Sequence, residues 1–158
     1  MADVNQIRAG ETALPADPAA KPDAGVVFIG RIRSPWARGN CPRNISKARA
    51  EHPDAWIELD PKWAPALAGL VVGQPILLLY WMNHARRDLL TQTPTHVDVA
   101  RGTFSLRSPN RPNPVAASTV RITSLDGNRI GIDAIDCFDD TPLIDIKPWL
   151  ETIDIPPA

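Results

Sequence analysis

Hydrophobic and polar residues alternate with a period of two along Ala116–Leu125, where Val120 and Ile122 interleave with Arg121 and Thr123. The alternation resumes along Asn128–Phe138, and Asp126-Gly127 stands between the two stretches. Period-two patterning on both sides of an Asp-Gly pair predicts a β-hairpin. Val26–Arg33 reads as a strand that ends where Ser34-Pro35 interrupts it. Ala55–Asp60 is a second, shorter strand pattern. Pro75–Asn83 is almost wholly apolar, so the spacing predicts a central strand buried on both faces. Gly102–Arg107 and Pro142–Trp149 complete the strand set. Trp36–Asp54 is expected as a long loop holding about one turn of helix. Pro61–Leu70 is expected as a helical turn with Leu67 and Leu70 on the core. Asp88–Val99 is polar and is expected as a loop or short helix. Residues 1–24 carry no periodicity, so they are expected as a mobile leader ahead of one domain at 25–158. Many short strands, few helices and 17 prolines predict a mainly all-β chain. Its expected form is a compact antiparallel β-barrel with long proline-rich loops and few short helices.

Composition changes this picture little. The chain has 158 residues, 44% hydrophobic and 22% charged, which suits one soluble domain. The longest apolar run, Pro75–Met82, is too short for a membrane helix. No basic-then-apolar start marks a secretory signal, so a cytoplasmic location is expected, with Cys41 and Cys137 as reduced thiols. The net charge of −1 conceals an uneven distribution. Six basic residues and no acid lie between Arg31 and Ala50, and six more stand between Ala85 and Arg121 against Asp88 and Asp98. Beyond Arg121, eight acids face Arg129 and Lys147. Such blocks fit a basic face for phosphate or carboxylate ligands, or surface charges that mix once the chain folds.

The candidate chemistry lies in two turns. Arg107-Ser108-Pro109-Asn110-Arg111-Pro112-Asn113-Pro114 is braced by three prolines and holds two Arg and two Asn. A loop stiff before binding presents preset donors to a carboxylate, phosphate or base edge. Asp139-Asp140-Thr141-Pro142 and Asp145-Ile146-Lys147-Pro148 set carboxylates and an ammonium against further prolines. These groups can hold ribose hydroxyls or take a proton, and Asp145 with Lys147 can equally form a structural ion pair. The two turns are expected to converge on a shared pocket. No His or Cys accompanies the carboxylates at useful spacing, so no metal site is expected. His84 can titrate, bind a ligand or cap a turn. The five tryptophans are core residues by default. No Gly-rich dinucleotide fingerprint or phosphate loop is present.

The stretches GTFSLRSPNRPNPVAASTVRI, DAIDCFDDTPLIDIKPW, FIGRIRSPW…CPRN and LLLYWMNH together resemble the TsaA/TrmO family, over about Val26 to Pro156. The resemblance implies a β-barrel, S-adenosyl-L-methionine as cofactor, and a homodimer with the cofactor near the subunit interface. It implies N6-methylation of N6-threonylcarbamoyladenosine beside the anticodon of tRNA, with no DNA and no membrane partner. The implied cofactor contacts are Pro42, Arg43 and Asn44, Asn83 and His84, Arg107, Ala117, and Asp139, Asp140, Thr141 and Pro142. In the implied chemistry Arg107 or Arg43 binds the methionine carboxylate, Asp139 or Asp140 meets the ribose, and Asp145 is the base. Arg111, Asn113 and Lys147 orient the substrate. The chain departs from the family pattern in several places. Pro-Arg-Gln is Pro42-Arg43-Asn44, Phe-His is Asn83-His84, and Ala-Thr-Arg-Ser-Pro is Ser105-Leu106-Arg107-Ser108-Pro109. Ile-Gly-Leu-Ser is Val115-Ala116-Ala117-Ser118, and Asp-Gly-Thr-Pro is Asp139-Asp140-Thr141-Pro142. The further C-terminal domain of some bacterial members is not expected here. Methylation of another RNA or a small molecule, a non-catalytic cofactor-binding regulator, and a plain RNA-binding module are the competing readings.

Overall fold

The alternating stretches of the sequence become paired strands in a computed structural model that describes residues 6–158. The elements in chain order are β1 (Thr12–Ala13), β2 (Gly30–Arg33), α1 (Ile45–Glu51), β3 (Ala55–Leu59), β4 (Pro75–Trp81) and β5 (Leu89–Gln92). They continue with β6 (Arg101–Gly102), β7 (Val115–Asp126), β8 (Arg129–Ile132), β9 (Thr141–Pro148) and α2 (Glu151–Asp154). The chain is mostly sheet, with few and short helices. It divides into two compact units, one of residues 6–25 with Met82–Ala116, the other of Val26–Trp81 with Ala117–Ala158.

In the second unit six strands follow the order β2-β3-β8-β7-β4-β9, and β9 pairs back onto β2, so the hydrogen-bonded ring closes. Antiparallel registers fix which faces turn inward. Ile32 lies opposite Ile57, and Ile57 opposite Ile130. Ile32, Ile57, Ile76, Leu78, Ile122, Ile130, Ile132 and Leu143 are fully buried. Each contributes roughly 2 kcal/mol by leaving water. A one-residue slip would turn these side chains outward, so the pattern also fixes the register. Gly30 has a local reason: a Cβ there would meet Leu59 Cα at 2.8 Å and crowd Glu58 O. The hairpin forms as expected from its alternation, with Asp126 paired to Arg129. Its loop residues are Gly127 and Asn128 rather than Asp126-Gly127, and Gly127 takes φ 58°, open to glycine without strain.

Two expectations for this unit change. β4 is not buried on both faces: Ile76, Leu78 and Tyr80 point in, while Pro75, Leu77, Leu79 and Trp81 are half-exposed. A strand of a closed antiparallel ring has one inner face, so an apolar run alone does not make it two-sided. Of the five tryptophans only Trp36 joins the core, its indole N–H donating to Ile135 O at 2.7 Å. Trp56 instead lies under the Arg129 guanidinium, 4.2 Å from the ring centroid.

In the first unit β1, β5 and β6 form a three-stranded sheet, with Thr12 opposite Thr91 and Thr91 opposite Gly102. β5 falls where a loop or short helix is expected. Its Gln92 is polar and yet 6% exposed, because its amide donates to Thr103 Oγ1 (2.9 Å) and Asn110 O (2.6 Å). A polar side chain whose hydrogen bonds are met inside reads as loop in sequence but packs as core. The expected strand Gly102–Arg107 is mostly a 3-10 turn over Thr103–Ser105. Residues 6–24, read from sequence as leader, supply β1 and a 3-10 turn at Pro18–Ala20 capped by Asp17. Among the described residues no helix is long and apolar enough to cross a membrane. No group of three or more His, Cys, Asp and Glu is placed to hold a metal ion among them either.

Candidate functional site

The acidic turn of the second unit is built from β2, β9 and the chain between them. β2 and β9 pair with Ile32 opposite Thr141 and Arg31 opposite Pro142. That register places Arg33 beside Asp139 and Asp140, at 3.6 and 3.2 Å. Arg33 also grips Glu58 on β3 at 2.7 Å. The Glu58 bond above all holds Arg33 more firmly protonated and draws the Glu58 carboxyl below its usual range. Asp139 accepts from Ser34 N (3.2 Å), and its own amide donates to Trp36 O (2.8 Å). Thr141 is buried and donates its hydroxyl to Phe138 O at 2.7 Å, and Pro142 is buried beside it. Asp140 takes φ 65°, the one positive value at a non-glycine among the described residues. Asp tolerates this left-handed region at some cost, where glycine would take it freely.

Pro42, Arg43 and Asn44 lie just before α1. Asn44 is its N-cap, accepting from Lys47 N at 2.9 Å. Arg43 is exposed and donates no hydrogen bond to the described residues. Cys41, directly before Pro42, donates its thiol to Asp136 O at 3.3 Å. Both cysteines are free. Burial pushes the Cys41 thiol up to about 11 and raises Cys137 further. Ala117 follows the first residues of β7, next to Ser118. The Ser118 hydroxyl lies 2.9 Å from the buried Tyr80 hydroxyl, which also reaches Asp136 Oδ1 at 3.3 Å. Burial drives the Tyr80 phenol well above its usual range, so it stays a neutral donor. On β9, Asp145 and Lys147 share one face and pair at 2.7 Å. That hydrogen bond raises the Lys147 ammonium above its usual range. Asp145 Oδ1 also accepts from Ile146 N at 2.9 Å.

The proline-braced loop belongs to the first unit and is tied to itself and to the chain after β4. Arg111 donates to Leu106 O (3.2 Å) and Ser108 O (3.3 Å), so its guanidinium closes the loop. Arg87 donates to Pro112 O (2.5 Å) and to Asn113 Oδ1 (3.3 Å). Asn110 Oδ1 accepts from Arg86 N at 3.2 Å, while Arg86 forks onto Asp88 with two bonds of 2.8 Å. Met82 N donates to Pro114 O at 2.8 Å. Asn83 and His84 occupy an exposed turn closed by Ala85 N on Met82 O at 3.0 Å, and Arg107 is exposed at the loop's start.

Thus Pro42–Asn44, Ala117, Asp139–Pro142, Asp145 and Lys147 fall in the second unit. Asn83, His84, Arg107, Arg111 and Asn113 fall in the first. The sequence reading missed Arg33 and Glu58 as holders of the acidic turn, and Arg87 and Gln92 as holders of the proline loop. It missed the Tyr80–Ser118–Asp136 group as well. The one available signal was the polar Gln92 inside an otherwise strand-like LLTQ.

A profile of the tRNA-methyltransferase O N-terminal domain matches residues 31–155. The probable S-adenosyl-L-methionine-binding protein VirR of Rhizobium radiobacter is 39% identical over 127 residues, covering 80% of this chain and 71% of that protein. A tRNA (adenine(37)-N6)-methyltransferase of Mus musculus is 32% identical over 82 residues, 51% of this chain and 19% of the mouse protein. The crystal structure of TrmO from Pseudomonas aeruginosa is similar with a TM-score of 0.65 and 29% identity, over 83% of this chain and 58% of that one. This chain therefore spans little more than half the length of that solved relative. With most of its length matched by the profile, the chain belongs to the tRNA-methyltransferase O N-terminal domain family.

Proposed function

We propose that this chain is an S-adenosylmethionine-dependent methyltransferase acting on N6 of N6-threonylcarbamoyladenosine beside the anticodon of tRNA. The match of residues 31–155 to a tRNA-methyltransferase domain carries the reading. The names of the Rhizobium and mouse relatives support the cofactor and the acceptor position respectively. The closed ring of strands is read as the family's β-barrel, and a cytoplasmic homodimer is the proposed working form.

The chain's own donors suit the cofactor. Arg43 keeps its guanidinium open to a carboxylate. Asp139 and Asp140 remain 52% and 62% exposed despite Arg33, so their oxygens keep lone pairs for ribose hydroxyls. When bound, S-adenosylmethionine supplies a methyl group already made electrophilic by its sulfonium. The protein's task is then alignment, and proline-braced turns do that without paying ordering entropy at binding. Arg43 or Arg107 binds the methionine carboxylate, with Pro42, Asn44, Asn83, His84, Ala117, Thr141 and Pro142 shaping the rest of the cofactor contact. Asp145 accepts the proton leaving N6: Lys147 and the Ile146 amide hold its two oxygens, and each keeps a further lone pair. Arg111 and Asn113 act on substrate through the loop they keep rigid. Calorimetry of Arg43→Ala and Arg107→Ala tests the carboxylate role, with at least a ten-fold loss of cofactor affinity expected in one of them, and Asp145→Asn tests the base. Unchanged affinity in both arginine variants, or normal turnover of Asp145→Asn, removes the respective role.

A second reading has one observation in its favour: the Rhizobium relative is named for binding S-adenosyl-L-methionine and not for a reaction. A non-catalytic regulator binds the cofactor and transfers no methyl group to tRNA.

A further inference from the structure

Phe104 is 82% exposed, the most exposed large apolar side chain among the described residues. An aromatic ring so exposed offers an open face on which a planar group can stack. Its backbone is fixed from beneath. Thr103 is 3% exposed, and its hydroxyl donates to Leu89 O (2.8 Å) while accepting from Gln92 (2.9 Å). Ser105 Oγ donates to Gly102 O (2.8 Å), and Leu106 N to Thr103 O (3.2 Å). The ring thus sits on a 3-10 turn that is ordered before any partner arrives. Three residues before it stands Arg101, exposed and within about 11 Å of chain. Arg101 forms no ion pair with a described residue, and Asp88, one of two acids between Ala85 and Arg121, is taken up by Arg86 at 2.8 Å.

We infer that Phe104 is a stacking platform for an unpaired RNA base, with Arg101 holding a flanking phosphate. The inference rests on the RNA-methyltransferase reading and adds to it a surface outside the residues given to cofactor and base. An aromatic face beside a guanidinium group matches the way single-stranded RNA is held: bases stack on rings while cations neutralise the backbone. A purely apolar partner would leave Arg101 desolvated and unmatched.

The test measures binding of two probes, a synthetic tRNA anticodon stem-loop and a blunt-ended RNA duplex with the same number of nucleotides. S-adenosylmethionine calorimetry, melting and sedimentation velocity run alongside. Phe104→Ala and Phe104→Leu are expected to weaken the stem-loop roughly five- to hundred-fold, while Phe104→Tyr stays near the parent. Affinity for the duplex, cofactor affinity, melting and sedimentation stay unchanged in all three. Arg101→Ala weakens both RNAs and lowers the salt slope by about one. If Phe104→Ala binds the stem-loop as the parent does, the inference is overturned and the methyltransferase reading stands. If the parent itself binds neither RNA, both fall. If Phe104→Ala changes the sedimentation coefficient, the ring belongs to a contact with a second copy, and the platform is overturned.

Discussion

Asp140 occupies a backbone conformation suited to glycine, at the position where the family pattern reads Asp-Gly-Thr-Pro. Its carboxylate recovers part of that strain by meeting Arg33 at 3.2 Å. Alanine would keep the strain and lose the bond, whereas glycine would lose both. Asp140→Ala is therefore expected to destabilise the chain by about 1 kcal/mol relative to Asp140→Gly, read by denaturant titration. Equal stabilities would mean that the turn relaxes. Asp88 offers a test by pH. Two bonds from Arg86 draw its carboxyl below the ordinary 3.8, so the folded state binds that proton less readily than the unfolded one. The stabilisation is complete above the ordinary value and is lost as the pH falls through the lowered one. Melting temperatures of the parent and Asp88→Asn should differ near neutral pH and converge in acid. A gap that stays constant with pH would remove the pair as its source.

At the scale of elements, β2 is the hinge of the account, because it pairs with both β3 and β9 and so brings Arg33 to the acidic turn. Gly30→Ala would drive a methyl group into the β3 backbone at Leu59. It is expected to cost about 1–3 kcal/mol and to loosen cofactor binding in the same variant, measured by melting and calorimetry. Full stability would show that β2 and β3 can separate locally. The strands were legible where alternation was long, as in β7 with β8, because one buried face imposes a period of two. β5 was illegible, since four residues give too little pattern and the burial of Gln92 depends on Thr103 and Asn110. The helical part of Thr103–Ser105 was hidden for a similar reason: Thr and Phe favour strands, and the buried Thr103 hydroxyl overrides that preference.

For the whole molecule, the all-β class followed from prolines and short strands, and the two turns stood out through rigidity and charge. What holds those turns was not legible. Arg87 reaches residues 112 and 113 across a gap in sequence, and Arg33 reaches 139 and 140 across a larger one. Pairings of that kind are set by strand register and packing, which periodicity alone does not specify. Methyl transfer, too, needs cofactor, acceptor and protein together. The most direct measurement incubates the purified chain with S-adenosylmethionine carrying an isotopic methyl label and tRNA from a strain lacking the corresponding protein, then analyses the tRNA nucleosides by mass spectrometry. The account predicts labelled N6-methyl-N6-threonylcarbamoyladenosine, and its absence with the Asp145→Asn variant. Cofactor binding with no label in any tRNA nucleoside would contradict it.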